Sequence, residues 1–307
     1  MITFMKRINN QLVKTNENNL DGKIWINLVD PTTVEIDFLI EKFEIDKEFL
    51  IAALDLEERS RIDYYEEQRL IIFNANFKTD DEFEVYETIP VGIILKDNII
   101  ITVCKENLHL ENIKNKIKNY DDEWFFIVNI LYNLSLSYLS NLRNIDRKTT
   151  KIENLLYKDA KKKYIIELLN LEKSLVYFNA ALTGNEIVIN KIYKTVIKDD
   201  DFKYLIEDVI IEIQQANQMA KINSRIINSI REAFQSIDNN SINLVMKSLA
   251  SITIIINIPM LITSFLGMNI YFPDFISKSF LFIYILLILM LLLTYIIYKK
   301  MKKKGLL

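Results

Sequence analysis

The stretch SLASITIIINIPMLITSFL (248–266) runs into Gly-Met-Asn (267–269), and a second apolar stretch, FLFIYILLILMLLLTYIIY, occupies 280–298. About 20 apolar residues in a helix cross the hydrocarbon core of a bilayer, and each stretch comes close to that length. Because backbone polar groups in lipid must be hydrogen-bonded internally, each stretch predicts a transmembrane helix. The segment 267–279 is then a loop that lies at one membrane face.

The distribution of lysines predicts the orientation of the two spans. Five lysines, at 299, 300, 302, 303 and 304, follow the second span, and Lys247 precedes the first, whereas the loop contains only Lys278. An excess of lysine marks the cytoplasmic side of a membrane. We therefore expect a multi-pass cell-membrane protein with both termini in the cytoplasm, a basic tail over 299–307 and an outward-facing Gly-Met-Asn loop.

Composition argues against several functional classes. A formal net charge of −3 gives no basic footprint for nucleic acid. The single cysteine, Cys104, which we expect to be buried, and the single histidine, His109, do not suffice for a cysteine- or histidine-rich metal site. We find neither a glycine-rich phosphate loop nor a nucleophile–base set, so we expect no organic cofactor and no enzymatic activity.

Residues 1–105 carry the mixed pattern of a cytoplasmic α/β domain. Strands are predicted over 23–30, 69–77, 86–95 and 98–104, and helices over 31–43 and 46–55. Asp30 and Pro31 are expected to begin the first helix as its cap and its first-turn proline. Pro90 lacks a backbone donor and is expected at the start of its strand or at a sheet edge.

Long helices are predicted for the rest of the chain. Cytoplasmic helices are expected over 106–200: one over 106–144, then a hairpin of 145–182 and 185–198 that turns at Gly184. One continuous helix is expected over 201–266, about 100 Å long, with its first part (201–247) forming a stalk. The predicted fold class is thus α+β: a cytoplasmic mixed α/β sheet domain, a long helical stalk and two C-terminal transmembrane helices.

The predicted stalk has a regular apolar stripe. Apolar residues recur in steps of three and four from Leu205 to Ile237. Such a stripe packs against another helix, and a monomer of this size cannot cover so long a helix on all sides. We therefore expect a homo-oligomer, with a closed cyclic ring the usual arrangement.

The first span has one small or polar face. The residues on it are Asn243, Ala250, Thr253, Asn257 and Ser264, at spacings of seven, three, four and seven. Two interpretations fit these residues. Small and hydroxyl side chains commonly let helices pack closely in membranes, and polar side chains in membranes also line water-filled pathways.

The two terminal spans, the large cytoplasmic part and Gly267-Met268-Asn269 between the spans together resemble the CorA-type family of magnesium channels and transporters. The stretches WINLVDPTTVEIDFLIEKFEID (25–46) and TIPVGIILKDNIIITV (88–103) are similar to the start and the paired strands of that family's cytoplasmic domain. The resemblance implies uptake of Mg²⁺ driven by the membrane potential, with Co²⁺ and Ni²⁺ as further ions. It also implies a pentamer that is gated by cytoplasmic Mg²⁺.

The resemblance implies roles for individual residues. Gly267, Met268 and Asn269 match the ion-selective outer mouth, although an alternative for Gly267 is a helix C-cap. The resemblance and the polar face together imply that the pore wall and gate are formed by Asn243, Met246, Leu249, Thr253, Asn257, Met260 and Ser264. Asn257 departs from the family, in which an apolar residue is expected there, and Leu266 departs because an aromatic residue usually precedes the motif.

A regulatory metal site is implied as well. Asp208 matches a stalk position that holds a regulatory metal between neighbouring subunits, and Asp80 or Asp81 is the candidate partner. Two carboxylates repel each other until a divalent cation bridges them, so occupancy reports cytoplasmic Mg²⁺. The alternative is that Asp208 is an ordinary surface carboxylate on a charged helix.

The proposed ion fits the chemistry of the motif, and two alternatives stay open. Mg²⁺ holds its waters tightly and prefers oxygen ligands, so a ring of Asn269 amide oxygens and Gly267 carbonyls can hold the hydrated ion through its waters. The first alternative is a zinc-transporting member of the same family. The second is a membrane-anchored helical scaffold or sensor that conducts nothing.

Overall fold

The computed structural model describes residues 1–8, 11–17, 19–79, 85–110, 122–158, 161–196, 199–268 and 280–306. These residues fall into two compact units, Met1–Ile230 and Arg231–Leu307. The first unit contains a β-sheet with helices, and the second contains the two apolar stretches near the C-terminus. The long helix that ends the first unit continues into the second.

One mixed sheet forms the centre of the first unit. Its strands are β1 (Ile2–Ile8), β2 (Gln11–Thr15), β3 (Ile24–Val29), β4 (Arg61–Tyr65), β5 (Gln68–Lys78), β6 (Tyr86–Lys96) and β7 (Ile99–Cys104). They lie in the order β2-β1-β3-β7-β6-β5-β4. The β3–β7 pair is parallel, with Ile26 opposite Ile101, and the other neighbours are antiparallel.

Six helices are described. They are α1 (Thr33–Phe43), α2 (Lys47–Ala52), α3 (Glu123–Lys158), α4 (Lys162–Thr195), α5 (Asp200–Leu266) and α6 (Phe280–Lys303). The helix expected over 201–266 is therefore present as α5. The second helix is longer than the apolar stretch 280–298, since α6 also includes the lysines up to Lys303.

Helices cover both faces of the sheet. Leu39 of α1 and Leu50 of α2 belong to one apolar core with Ile72 and Val103 of the strands. Successive strand residues point to opposite faces, so Trp25 faces the other side, where its ring meets Phe126 of α3 at 5.2 Å between centroids. Burial on both faces explains why the central strands are almost continuously apolar. Cys104 is buried as predicted.

The start of α1 differs from the prediction. Thr32 is the N-cap: its side chain accepts from the Glu35 backbone N–H, and the Glu35 carboxylate accepts from the Thr32 backbone N–H at 2.9 Å. This reciprocal capping box satisfies two donors that Asp30 would have satisfied only in part. Asp30 instead adopts a left-handed conformation with φ of 42°. The assignment of the cap to Asp30 was wrong.

The helix boundaries after residue 106 also differ. α3 continues through 144–145, and Gly184 lies inside α4, so the turn predicted at Gly184 is wrong. Glycine is needed at position 184 for another reason: a Cβ there would lie 3.0 Å from Ser60 Oγ. Gly184 therefore permits close packing of α4 on the chain segment that precedes β4.

Pro90 lies within β6, and β6 is not an edge strand, because β5 and β7 flank it. The proline is tolerated because the pairing of β6 with β7 ends at Gly92, opposite Val103. On the β7 side, Pro90 therefore needs no ladder hydrogen bond. The hairpin of β1 and β2, and the edge strand β4, were not predicted from the sequence.

Asn185 attaches α4 to β5 just beyond the end of β4. Its Nδ2 donates to the Asn74 carbonyl at 2.8 Å, and the Asn74 N–H donates to Asn185 Oδ1 at 2.9 Å. Ser60 Oγ donates to the same oxygen at 2.8 Å. The buried Asn185 amide thus replaces a neighbouring strand where β4 does not reach.

Replacing Asn185 by Ala should destabilise the first unit by about 2 kcal/mol, because the Asn74 N–H loses its acceptor while the Asn74 carbonyl keeps the hydrogen bond from Tyr138 Oη. Denaturant unfolding of the detergent-solubilised full chain, followed by circular dichroism, measures this change. Asn190→Ala is the matched control, since the Asn190 amide donates to Glu186 O in its own helix. Equal losses of stability in the two variants would contradict the role assigned to Asn185.

Candidate functional site

The apolar parts of α5 and α6 are uncovered within one chain. Three helices are long and apolar enough to cross a membrane, by length and composition, among the described residues. The most apolar window of α3 is 72% buried, whereas those of α5 and α6 are 6% and 0% buried. α3 is therefore a core helix, and α5 and α6 require lipid or other copies of the chain to cover them.

The predicted pore residues share one exposed face of α5. All of the following side chains are exposed in the single chain: Asn243, Met246, Leu249, Thr253, Asn257, Met260 and Ser264. The other side of the helix is more covered, since Ser251 is only 2% exposed and Ile255 is half-buried. Within the described part of one chain, the small and polar face is therefore not the face on which α5 packs.

Gly267 directly follows the end of α5. Its N–H donates to Thr263 O at 3.0 Å and to Ser264 O at 3.2 Å. Among the described residues the glycines with positive φ are Gly22 and Gly305, so the left-handed C-cap suggested for Gly267 is wrong. A Cβ at Gly267 would lie 3.5 Å from those two carbonyl oxygens, which is ordinary contact. Among the described residues, neither conformation nor packing requires a glycine at this position.

The remaining predicted site residues are only partly described. Met268 is 54% exposed. Asn269, Asp80 and Asp81 lie outside the described residues. Asp208 is exposed on α5, between the exposed side chains of Tyr204 and Ile211. Within the described part of the chain, no cluster of three or more His, Cys, Asp or Glu side chains could hold a metal.

The end of α6 is capped and basic. Gly305 has a φ of 66°, and the Leu306 N–H donates to Met301 O at 3.2 Å, which closes the last turn in a Schellman-type arrangement. Lys302 Nζ lies 6.0 Å from the centre of the Tyr298 ring. Lysines in the last helical turn are favourable beside its unpaired carbonyls, so the lysines that set the predicted orientation also stabilise this helix end.

The fold and the exposed face of α5 define a class of membrane protein in which a mixed α/β domain and a long helix precede two terminal membrane-length helices. Residues 21–303 match the family described as CorA-like Mg²⁺ transporter protein. The chain belongs to this family. The recognition made from Gly267-Met268-Asn269 and the predicted α+β fold class are both confirmed.

Individual relatives are moderately similar. The cobalt/magnesium transport protein CorA of Methanocaldococcus jannaschii is 28% identical over 262 residues, which cover 81% of each protein. The magnesium transport protein CorA of Helicobacter pylori is 22% identical over 289 residues, covering 90% of this chain and 89% of the relative. The complete structure of the CorA magnesium transporter from M. jannaschii superimposes with a TM-score of 0.87 at 22% identity, covering 100% and 99% of the two chains.

Replacing Gly267 by Ala should leave helicity and stability unchanged to within about 0.5 kcal/mol, because no contact in the chain requires the glycine. Thermal unfolding followed by circular dichroism checks this. Gly92→Ala is the contrasting control: a Cβ at Gly92 would collide with the Cβ of Ala53, and overpacking of this kind costs about 1–3 kcal/mol. A large loss of stability in Gly267→Ala would show that the glycine has a structural role.

Proposed function

We propose that this chain forms a homo-oligomer, pentameric by family resemblance, that passes Mg²⁺ into the cell. Co²⁺ and Ni²⁺ are the further ions in the proposal. The observation that carries it is the exposed face of α5, which combines small and polar side chains and ends at Gly267-Met268. Membership of a Mg²⁺ transporter family and the similarity to magnesium and cobalt/magnesium transport proteins support it.

In the proposed assembly, copies of α5 stand side by side around an axis. Polar side chains in a membrane face protein or water, and the face of α5 that carries Thr253 and Asn257 is not covered by its own chain. That face therefore lines the axis, with Met246 and Leu249 as an apolar constriction at the inner end. Apolar constrictions gate by excluding water.

The outer mouth selects the ion through its waters. Asn269 side chains and Gly267 carbonyls present neutral oxygens, which bind the hydrated ion without stripping its shell. Since carboxylates at the same place would hold a divalent cation more tightly, neutral ligands favour release into the pore. The absence of a steric need for glycine at position 267 supports this role, because Gly267 leaves its carbonyl accessible to an approaching ion.

The membrane potential supplies the driving force. Moving one elementary charge through 100 mV is worth about 2.3 kcal/mol, so a divalent cation gains about 4.6 kcal/mol on entry. In the proposed orientation both termini lie in the cytoplasm, and the lysines at the end of α6 and Lys247 support it. The second apolar helix and the uncovered side chains of α5 face lipid or neighbouring copies.

Cytoplasmic Mg²⁺ is proposed to close the pore through Asp208. The exposed carboxylate makes no hydrogen bond or ion pair within the described part of its own chain, so it is available to a cation shared with a neighbouring copy. Asp80 or Asp81 of that copy is the proposed second ligand. Bound Mg²⁺ would hold neighbouring subunits together, and its loss at low concentration would release them.

Replacing Asn269 by Ala should abolish Mg²⁺ uptake, because the mouth loses its amide oxygens. The measurement is uptake into liposomes that contain a Mg²⁺-sensitive dye, driven by a K⁺ diffusion potential. Wild-type uptake should rise with the potential, and the variant should fall at least tenfold. Equal uptake by both proteins, or uptake of Zn²⁺ with indifference to Mg²⁺, contradicts the proposal. A protein that passes no ion is a scaffold or sensor.

Replacing Asp208 by Ala should weaken inhibition by internal Mg²⁺ and raise the half-inhibitory concentration at least tenfold. The assay is the same uptake measurement, with the internal Mg²⁺ concentration varied. Asp201→Ala is the matched control, since Asp201 is an exposed carboxylate in the first turn of the same helix. Identical inhibition curves for wild type and Asp208→Ala would contradict the proposal and show that Asp208 is a surface carboxylate without a regulatory role.

A further inference from the structure

Asn257 is a polar side chain in the middle of the first membrane span. It is the tenth residue of the 19-residue stretch 248–266, so the span places it near the centre of the bilayer. A side-chain amide carries two N–H donors and an acceptor oxygen. Unpaired polar groups at this depth are costly, and for that reason they face protein or water.

Three threonine hydroxyls in the two membrane helices are paired within their own helices. Thr253 Oγ1 donates to Leu249 O at 2.9 Å, Thr263 Oγ1 donates to Met260 O at 3.0 Å, and Thr294 Oγ1 donates to Met290 O at 2.8 Å. Because each hydroxyl is paired within its own helix, these side chains can face lipid. These threonines therefore do not indicate which face of α5 is exposed to water.

Asn257 behaves differently. Elsewhere in the chain, helical asparagines such as Asn133 and Asn190 donate to the carbonyl four residues earlier, at 2.8 and 2.7 Å. Within the described residues the amide of Asn257 has no hydrogen-bond partner, and the side chain is exposed. The described part of the chain therefore supplies no partner for this amide.

The surroundings of Asn257 limit the choice of partner. The exposed side chains next to it on the helix include the apolar Ile254, Ile256, Met260 and Leu261 and the hydroxyl of Thr253, whose proton is already donated to Leu249 O. Neighbouring copies present the same side chains at this depth. The candidates are water on the axis, with any ion that carries it, the Thr253 oxygen of a neighbouring copy, and the amides of Asn257 in the other copies.

We infer that Asn257 amides from the assembled copies form a second ring, near mid-membrane, that binds hydrated Mg²⁺ through its waters. This inference rests on the proposed function. The ring would lie about 15 Å from Gly267 along the helix and about 12 Å from Leu249. Conduction benefits from several weak sites in sequence, and this ring supplies one between the inner constriction at Leu249 and the outer mouth.

The first test compares Mg²⁺ uptake by three variants in liposomes. Asn257→Leu has a similar volume without polar atoms and should lower maximal uptake at least tenfold. Asn257→Gln keeps the amide and should stay within threefold of wild type. Asn257→Asp should lower the half-saturating Mg²⁺ concentration, because a carboxylate holds the cation more tightly. Unchanged or increased uptake by Asn257→Leu overturns the inference.

Two controls distinguish failure of this inference from failure of the proposed function. Wild type and Asn269→Ala are measured alongside: if the wild type passes no Mg²⁺, the proposed function and the ring fail together. If wild type conducts, Asn269→Ala does not and Asn257→Leu does, only the ring fails. Light scattering gives the oligomer mass of each variant. Dissociation of Asn257→Leu assigns the amide to contacts between copies and also overturns the inference.

A second test asks whether position 257 faces water. Cys104 is only 1% exposed, so a cysteine introduced by Asn257→Cys is the accessible thiol. A cationic methanethiosulfonate reagent added from outside should modify it and reduce uptake at least fivefold. Ile255→Cys is the matched control, since Ile255 lies at a similar depth on the opposite, half-buried side of α5. Reaction at 255 but not at 257 contradicts the ring.

Discussion

Polar groups cannot remain unpaired in hydrocarbon, and this constraint governs both membrane helices of the protein. Apart from the missing N–H of Pro259, helical hydrogen bonds pair the backbone of these helices, and three threonine hydroxyls bond to their own helices. Among the described residues of the two membrane helices, the Asn257 amide on the exposed face of α5 has no hydrogen-bond partner. A membrane protein with such a face needs other copies or water beside it, and the proposed pore provides both.

The first part of α5 belongs to the first unit. Its sheet is buried on both faces, and Asn185 fixes α4 to β5 with hydrogen bonds that a strand would otherwise make. α5 begins in this unit and continues as the first membrane helix.

The sequence allowed long periodic and apolar elements to be predicted, and failed where local signals had another cause. The strands that became β3 and β5–β7 were recognised by β-branched runs, and the two spans by length. The turn predicted at Gly184 was wrong because sequence alone does not distinguish a glycine required by close packing from a glycine required by a turn. β2 and β4 were missed because short edge strands carry weak patterns, and β1 was missed because ITFMKRI mixes charged with apolar residues. At the site, the polar residues on the face of α5 were predicted from their spacing and Met246, Leu249 and Met260 from the family resemblance, whereas the hydrogen bonds of the threonine hydroxyls and the unpaired Asn257 amide among the described residues required coordinates.

The central claim is that several copies of α5 surround one axis, and the mass of the detergent-solubilised protein tests it most directly. Light scattering with the detergent contribution subtracted should give a multiple of the 36.2 kDa chain, with five copies expected from the family resemblance. A mass equal to one chain, under conditions in which the same preparation takes up Mg²⁺ after reconstitution, would contradict the account.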